Sequence, residues 1–241
     1  MLIFLYRVYF VLIVPLLAVW SILCAIVAIL LSACGLKQLG GYWVPVAWAK
    51  VWCWLTFVRV KAVGRENISK NKAYVFVANH QGQYDIYSIY AGLGHNFRWM
   101  MKKALEKIPV VGYSCRVSGQ IYVDTSSRSN TRQTMETAKR QIASGMSVVV
   151  FPEGSRSYDG RVQRFKKGAF TLAEAFNLPV VPITIDGSYE INPRTERLPR
   201  PGRIVLTIHK PIEPDGDAHD MDRLMELSRE AIISALPEKH K

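Results

Sequence analysis

Two hydrophobic patterns divide the chain, and the first is a long apolar stretch near the N-terminus. Between Val8 and Leu36 there are 29 consecutive residues without a charged side chain. As a helix this stretch measures about 43 Å, whereas the hydrocarbon core of a bilayer is about 30 Å thick. It can span a membrane with tilt, or break near Pro15 or Gly35 and lie partly in the interface. We predict a membrane-embedded helix over about residues 8–36.

A tryptophan-rich segment follows directly. Tryptophan and tyrosine prefer the boundary between membrane and water, and the basic side chains among them prefer anionic headgroups. Trp48 and Trp52 fall on one helical face. We therefore predict an interfacial helix over about residues 42–58, with a buried core helix as the alternative, and a membrane-anchoring region over residues 1–60. A cleaved secretory signal is a further alternative, because residues 31–34 resemble a lipoprotein cleavage site.

Beyond residue 60 the pattern changes to short apolar runs that alternate with amphipathic stretches. Short apolar runs bounded by turn residues predict buried strands, and amphipathic stretches predict helices. This alternation is typical of an α/β domain with a mostly parallel sheet flanked by helices, which we predict over residues 61–241. The predicted strands are 73–78, 97–101, 120–123, 147–151, 180–185 and 204–209, and the predicted helices are 86–91, 105–111, 130–144, 167–176 and 220–236.

The charge distribution favours anionic partners. The chain carries a net charge of +12. Residues 61–241 hold 27 basic and 19 acidic side chains, an excess of +8. Lipid headgroups and phosphorylated substrates suit this excess, whereas no nucleic-acid module is recognisable and no nucleic-acid partner is expected. The four cysteines form no CxxC pair, so neither a disulfide framework nor a metal site is expected.

His80 and Asp85 are the main candidates for catalysis. His80 follows the predicted strand 73–78, and Asp85 comes five residues later. Residues five apart on a continuous helix do not face each other, so the two side chains meet only if His80 lies in a loop and Asp85 in the first turn of the next helix. Gly82 is expected to supply the bend. A histidine oriented by a carboxylate is a general base, with a chance spacing as the alternative.

Three further segments carry unusual chemistry. The run Phe151–Ser157 follows a predicted strand and offers a carboxylate, a Gly-Ser backbone and an arginine suited to phosphate. The run Gly119–Asp124 ends a strand and leads to Arg128. In Val180–Ile183 a proline interrupts an apolar run, which favours an edge strand or a position beside a loop. Because the carboxyl ends of parallel strands meet at one edge, the His80 loop is expected beside the first of these runs.

Taken in order, these segments resemble the four sequence blocks of the glycerophosphate acyltransferase family, most closely its bacterial 1-acylglycerol-3-phosphate acyltransferases. The resemblance covers about residues 60–210. In the second block Thr125 stands where arginine is frequent, Arg128 is expected to take over its contact, and a different lysolipid acceptor stays open as an alternative. The matching residues are His80 and Asp85 in the first block, Gly119, Ile121, Tyr122 and Val123 in the second, Glu153, Gly154, Arg156 and Ser157 in the third, and Val181, Pro182 and Ile183 in the fourth.

The resemblance implies a reaction and a set of roles. An acyl chain would pass from acyl-CoA or acyl-carrier protein to the sn-2 hydroxyl of 1-acyl-glycerol-3-phosphate (lysophosphatidic acid), giving phosphatidic acid in phospholipid biosynthesis. His80 would be the general base and Asp85 its orienting carboxylate, without a cofactor. Membrane phospholipid would be a partner. The implied substrate-binding residues are Glu153, Gly154, Ser155, Arg156, Arg128, Tyr122, Lys103 and Pro182.

The resemblance also implies a location at the inner (cytoplasmic) membrane, with the catalytic domain facing the cytoplasm. Other functions stay open on the sequence alone. A serine hydrolase requires a Gly-x-Ser-x-Gly elbow, which the chain lacks. A non-enzymatic membrane-surface protein would bind lipid without turnover. A surface ion pair is the alternative to a substrate role for Glu153 and Arg156.

Overall fold

A computed structural model describes residues 1–124, 126–215 and 220–241, and it leaves out the side chains of Leu2, Arg128 and Asp220. Within these residues the predicted α/β fold is confirmed as a seven-stranded sheet in the order β1-β7-β6-β2-β5-β3-β4. All neighbouring strands run parallel except β6 and β7. The strands are β1 (Val58–Val63), β2 (Val75–Ala78), β3 (Phe97–Lys102), β4 (Ile121–Val123), β5 (Ser147–Val150), β6 (Val180–Asp186) and β7 (Gly202–Ile208).

Helices cover both faces of this sheet. Alternate residues of a strand point to opposite faces, and β2 shows the consequence. Phe76 and Ala78 belong to a core cluster shared with the second and third helices, whereas Val75 and Val77 belong to a cluster on the other face. The helices are α1 (Leu2–Ala33), α2 (Val44–Leu55), α3 (Tyr84–Gly92), α4 (Val111–Val117), α5 (Arg128–Ala143), α6 (Gly168–Ala175), α7 (Ser188–Ile191) and α8 (Asp220–Ser234).

The first strand was not predicted from the sequence. The pattern placed a helix up to residue 58 and no element directly after it. In the structure β1 occupies residues 58–63 at the edge of the sheet, and its residues alternate between buried or half-buried and exposed positions. An edge strand with polar residues at every second position lacks the continuous apolar run of a central strand. The expected domain boundary at residue 60 falls inside this strand.

The apolar helix α1 is longer than predicted at its start and shorter at its end. It runs through Pro15 without a break and ends just before Gly35, whose φ of +81° is readily adopted by glycine. In the described part of the chain, α1 is the one helix whose length and apolar composition are sufficient to cross a membrane. Its outer face is exposed, whereas a stripe of residues packs against the rest of the chain. This stripe includes Tyr6, Phe10, Ile13, Leu17, Cys24, Ala25, Ala28 and Ser32.

One hydroxyl joins the first two helices. Ser21 Oγ on α1 accepts hydrogen bonds from the indole Nε1 of Trp48 at 2.9 Å and of Trp52 at 3.1 Å. The same hydroxyl donates to the Leu17 carbonyl at 2.8 Å. Trp52 also stacks on Tyr87 of α3, with ring centroids 5.2 Å apart and planes inclined by 11°. The predicted face of Trp48 and Trp52 therefore connects α1 to the α/β domain.

Helix α2 combines features of both readings of the tryptophan-rich segment. It begins after a π-helical turn, Leu39–Trp43, and one of its faces is buried in the core through Val46, Ala49 and Cys53. The opposite side carries Trp54, which is 74% exposed. One face is thus a core helix, and the other presents aromatic surface of the kind found at membrane boundaries.

Of the two positions expected for Pro182, the edge strand is wrong, whereas the position beside a loop is present because Pro182 faces the segment that follows β7. Pro182 is in β6, which has β2 on one side and β7 on the other. A proline lacks the N–H that a central ladder requires. Here the ladder contains a bulge: His209 N–H donates to the Pro182 carbonyl, and the next bonds join Val180 to Ile212. Three steps on one strand oppose two on the other, and the missing N–H falls at this bulge.

Candidate active site

The candidate residues lie near one another because the strands that precede them run in the same direction. β2, β5, β3 and β4 are parallel neighbours, so their carboxyl ends share one edge of the sheet. His80 follows β2, Glu153 follows β5, and Lys103 follows β3. With strands about 4.8 Å apart, groups after β2 and β5 are direct neighbours, whereas those after β4 are about 14 Å from β2.

The predicted geometry of His80 and Asp85 is present. His80 lies in the loop after β2, and Asp85 is the second residue of α3. His80 Nδ1 is 2.7 Å from Asp85 Oδ2. The same carboxylate oxygen accepts the backbone N–H groups of Gln81 at 2.7 Å and Gly82 at 2.9 Å. Asp85 is fully buried, and its position at a helix N-terminus favours negative charge.

Gly82 serves close packing rather than a bend. Its φ is not in the positive range. A Cβ at this position would lie 2.6 Å from Ser188 Oγ, 2.8 Å from the Ser188 carbonyl oxygen and 2.9 Å from the Asn192 carbonyl oxygen. Glycine is therefore required because α7 approaches the loop, which corrects the expected role. Since the N–H groups of Gln81 and Gly82 are bonded to Asp85, neither is available to stabilise a developing oxyanion.

The imidazole of His80 is fixed on one side and open on the other. It stacks on the ring of Phe151, with centroids 3.9 Å apart and planes inclined by 5°. Phe151 stacks in turn on Trp99, at 5.1 Å and 29°. The side chain of His80 is 15% exposed, and its Nε2 has no hydrogen-bond partner among the residues with described side chains. The ring can thus accept a proton from a group that reaches Nε2.

Glu153 holds the backbone of the His80 loop. Its Oε1 accepts the His80 N–H at 2.7 Å, and its Oε2 accepts the Gln163 N–H at 3.1 Å. Burial raises the pKa of the Glu153 carboxyl to about 8, although both N–H donors favour its ionised form. The surface ion pair with Arg156 that sequence leaves as an alternative is absent, because Glu153 is buried and both of its oxygens bind backbone groups.

The residues after Glu153 provide a second contact to the backbone of His80 and also include less buried positions. Ser157 N–H donates to the His80 carbonyl at 2.8 Å, so both backbone polar groups of His80 are bonded. Gly154 has a φ of +75°, and a Cβ there would lie 2.6 Å from Lys166 Nζ. Ser155 and Arg156 are half-buried. The guanidinium of Arg156 has no hydrogen bond or ion pair within the described part of the chain.

Two concave surfaces adjoin these loops. A cleft of about 520 Å³ lies beside Glu153 and is lined by Arg164, Lys166 and Met225 among others. A groove of about 300 Å³ joins α1 to the start of α3. Phe10 and Val14 line the groove on one side, and Gln83 and Tyr84, which immediately precede Asp85, line it on the other. The first surface is basic and the second is largely apolar.

The predicted second-block residues lie farther along the sheet edge. Tyr122 is on the terminal strand β4, and its hydroxyl donates to the Gly112 carbonyl at 2.8 Å. Lys103 Nζ is 3.9 Å from Asp124 Oδ2 and is more than half exposed. Arg128 begins α5, but its side chain lies outside the described residues, as does Thr125 entirely. The structure places this set two or three strand spacings from His80.

Pro182 is not brought to the site. It is level with Val77 in the ladder, three residues before His80, and is buried in the sheet. Cys115 offers no nucleophile, because burial raises the pKa of its thiol to about 11. The other described histidines are bound away from His80: His95 to backbone carbonyls, His209 to the Thr184 hydroxyl at 2.8 Å and His240 to Glu190 at 2.7 Å.

Phe151 and Gln81 are functional candidates that the sequence reasoning missed. Phe151 begins the run Phe151–Ser157, but no sequence pattern identifies it as the partner of the imidazole. Gln81 is fully buried, and its Nε2 donates to the Gly160 carbonyl at 2.5 Å, which fixes the residue next to His80. The one signal for Gln81 in the sequence is its position directly after the candidate base. No sequence pattern shows which loop the side chain of Gln81 contacts.

Comparisons with known proteins identify the family of this chain. A family model described as Acyltransferase matches residues 59–186. A 1-acyl-sn-glycerol-3-phosphate acyltransferase of Chlamydomonas reinhardtii is 35% identical over 205 residues, which cover 83% of this chain and 60% of that protein. An uncharacterized acyltransferase of Schizosaccharomyces pombe is 30% identical over 226 residues, which cover 92% of this chain and 81% of that protein.

A solved structure is similar over nearly the whole chain. It is the crystal structure of the 1-acyl-sn-glycerophosphate acyltransferase PlsC from Thermotoga maritima, with a TM-score of 0.77 and 26% sequence identity. The match covers 96% of this chain and 95% of that one. By contrast, the chain spans 60% of the length of the Chlamydomonas relative and 49% of a chloroplast relative from Brassica napus. The resemblance found in the sequence blocks is confirmed.

Proposed function

The chain belongs to the acyltransferase family, and we propose that it transfers an acyl chain from a thioester donor to the sn-2 hydroxyl of lysophosphatidic acid, forming phosphatidic acid. The single observation that carries the proposal is the bond from His80 Nδ1 to buried Asp85, which leaves Nε2 open. This arrangement supports a general base for an alcohol. The names of the relatives supply the substrate class.

In the proposed mechanism, His80 Nε2 takes the proton from the acceptor hydroxyl. The hydroxyl oxygen attacks the thioester carbonyl, and Asp85 stabilises the imidazolium through Nδ1. When the tetrahedral intermediate collapses, the C–S bond breaks and the thiolate receives the proton from His80. No side chain of the protein becomes acylated. The oxyanion donors would come from the third-block loop, since the N–H groups of Gln81 and Gly82 bind Asp85.

Glu153 is best explained as a positioning residue for this base. Both of its oxygens bind backbone N–H groups, one of them on His80 itself. Gly154 provides the positive φ that lets the loop turn after Glu153. Together with the bond from Ser157 to the His80 carbonyl, these contacts hold the imidazole in one place. We therefore assign Glu153 and Gly154 to the support of His80 rather than to direct contact with substrate.

The acceptor phosphate would bind at Arg156. Its guanidinium lies on the open part of the third-block loop and has no partner among the described residues, so its donors are available for a bidentate phosphate contact. Lys103 and Ser155 would add further donors. Tyr122 and Pro182 are committed to internal structure and would contribute to shape alone. Arg128 remains a proposed phosphate ligand on the strength of its sequence position.

The N-terminal helices would keep the site at the membrane surface. α1 packs along the domain through a stripe from Tyr6 to Ser32, and its outer face is apolar. A helix held against the domain over its whole length favours lying within one leaflet over crossing the bilayer alone. The apolar groove beside Tyr84 would then receive an acyl chain directly from the lipid, which avoids about 0.8 kcal/mol per CH₂ exposed to water.

We further propose an inner-membrane location with the catalytic domain in the cytoplasm. All four cysteines are free thiols, which suits a reducing compartment. Acyl-CoA and acyl-carrier protein remain the two candidate donors. The basic cleft beside Glu153 suits the phosphates of either one, since Arg164 and Lys166 line it and are unpaired among the described residues.

An assay of purified protein tests the proposal. The full chain in phospholipid vesicles is offered lysophosphatidic acid and three other lysophospholipids, each with acyl-CoA or acyl-carrier protein. We expect the highest kcat/KM with lysophosphatidic acid and no burst of acyl-enzyme. Faster transfer to another lysolipid would identify that lipid, rather than lysophosphatidic acid, as the acceptor. Hydrolysis with a burst would favour a hydrolase, and binding without turnover would favour a non-enzymatic surface protein.

A further inference from the structure

The segment after β3 exposes apolar side chains outside the membrane helix. A 3₁₀ turn, Lys103–Lys107, leads through Pro109 into the first turn of α4. Contiguous apolar surface of this kind marks a contact with a membrane or with another protein. The surface, called here the 105–113 patch, consists of Leu105, Ile108, Val110, Val111 and Tyr113, which are between 37% and 49% exposed.

The backbone at the centre of the patch is strained. Val110 has a φ of +61° and a ψ of −55°, and the N–H of Val111 donates to the Pro109 carbonyl at 2.6 Å. These values form a γ-turn in a region that is costly for a β-branched residue. A valine occupies this position, although glycine would adopt the turn without strain. The strained turn therefore carries an apolar side chain at the centre of the patch.

Basic side chains surround the patch. Lys102, Lys107 and Arg116 are exposed, and Lys103 is more than half exposed. Glu106, the acidic residue within this segment, is 3.7 Å from Arg116. Lys102 and Lys107 form no ion pair with any described residue. Apolar side chains flanked by these two lysines complement anionic headgroups above hydrocarbon, and Tyr113 suits the boundary between headgroups and hydrocarbon.

The patch also adjoins the membrane helix. α4 packs directly against α1, so the exposed residues Val111 and Tyr113 of α4 belong to an element next to that apolar helix. We infer that the 105–113 patch inserts into the headgroup region of the bilayer that holds α1. A single helix lying in a membrane leaves the attached domain free to roll about the helix axis. A second contact to the side of that axis fixes the roll, and with it the direction in which the sheet edge faces the lipid.

Site-directed spin labelling of the full chain tests this inference without relying on catalysis. A Cys34→Ser background removes the exposed cysteine, and a nitroxide is attached to Ile108→Cys or Val111→Cys. Leu30→Cys on the outer face of α1 is the lipid-exposed control, and Gln133→Cys on α5 is the water-exposed control. The protein is reconstituted into vesicles of phosphatidylethanolamine and phosphatidylglycerol, and collisions with oxygen and with a nickel chelate are measured.

We expect the oxygen-to-nickel accessibility ratio at Ile108 and Val111 to exceed the ratio at Gln133 at least threefold and to approach that at Leu30. A ratio equal to that at Gln133 would overturn the inference. Nanodiscs that hold one copy each distinguish lipid from a second copy of the chain. Protection that is lost in single-copy discs would assign the patch to a protein interface and would also overturn the inference.

The surrounding charges provide a second measurement. Lys102→Glu combined with Lys107→Glu should lower the ratio at Ile108 about twofold in anionic vesicles and leave it unchanged in purely zwitterionic ones. Lys139→Glu combined with Arg140→Glu on α5, which reverses the same number of charges outside the patch, is the matched control and should change neither value. Equal behaviour of the two charge variants would contradict an electrostatic contribution by Lys102 and Lys107.

Discussion

The two ends of the candidate site are built in opposite ways. Around His80, the ring, the backbone N–H and the backbone carbonyl all have bonded partners within the protein. Around Arg156, the guanidinium has no partner among the described residues. A base must be held in one orientation to accept a proton, whereas a phosphate ligand is more useful with its donors free. In the proposed reaction, the His80 end would be ordered before substrate binds, whereas at the Arg156 end the substrate would supply the missing partner.

The largest expected effect comes from removing the base. His80→Ala should lower kcat with lysophosphatidic acid by about 10³-fold, because a positioned general base contributes 10²–10⁴-fold. The KM for both substrates should change little. Steady-state kinetics in vesicles measures this, and circular dichroism with thermal unfolding serves as the folding control. A folded variant that keeps more than a tenth of the activity would contradict the assignment of His80.

A large effect is also expected at the residue that orients the base. Asp85→Asn should lower kcat by about 10²–10⁴-fold, since an amide at this position favours the wrong imidazole tautomer. It also places a carboxamide where two backbone N–H groups require an acceptor. The pH profile of kcat/KM provides the readout beyond activity. An unchanged profile and rate in the folded variant would show that Asp85 supports the loop alone.

The open end should respond differently. Arg156→Ala should raise the KM for the acceptor by about 10- to 100-fold, the equivalent of a lost charge-assisted hydrogen bond. The kcat and the KM for the thioester should remain close to the original values. Arg161→Ala, an exposed arginine in the following loop, is the matched control and should leave all three constants unchanged. An effect restricted to the thioester would reassign Arg156 to the acyl donor.

The last prediction concerns stability rather than kinetics, and it tests Glu153, which binds the backbone of His80. Since burial raises the pKa of Glu153 from 4.5 to about 8, the folded protein retains a proton that the unfolded chain releases. The contribution of this group to the free energy of unfolding is complete below pH 4.5. It decreases as the pH rises from 4.5 to 8, at no more than about 1.4 kcal/mol per pH unit. The stability of the parent minus that of Glu153→Gln should therefore fall as the pH rises from 5 to 8. Thermal unfolding measures this, and a constant difference would show Glu153 to be ionised throughout.

The sequence predicts the candidate catalytic pair better than it predicts the contacts that hold this pair in place. The His80–Asp85 spacing required a loop followed by a helix start, and the structure has both. The same reasoning misjudged the role of Gly82 and left an edge strand open for Pro182, because each residue is determined by a segment distant in sequence: α7 in one case and the bulge after β7 in the other. The stacking of Phe151 on His80 likewise depends on two parallel strands becoming neighbours. Local patterns reveal residue types, but they do not reveal contacts between such distant segments.

The pairing of the first strand with the last has a consequence for synthesis. β1 finds its partner β7 only after nearly 140 further residues, from Val63 to Gly202, have been made. Non-local pairing of this kind delays completion of a sheet. The apolar helix Leu2–Ala33 leaves the ribosome long before the sheet can close, at a translation speed of about 5–20 residues per second. In the membrane-bound enzyme that we propose, α1 would therefore be free to enter the bilayer before the site is assembled.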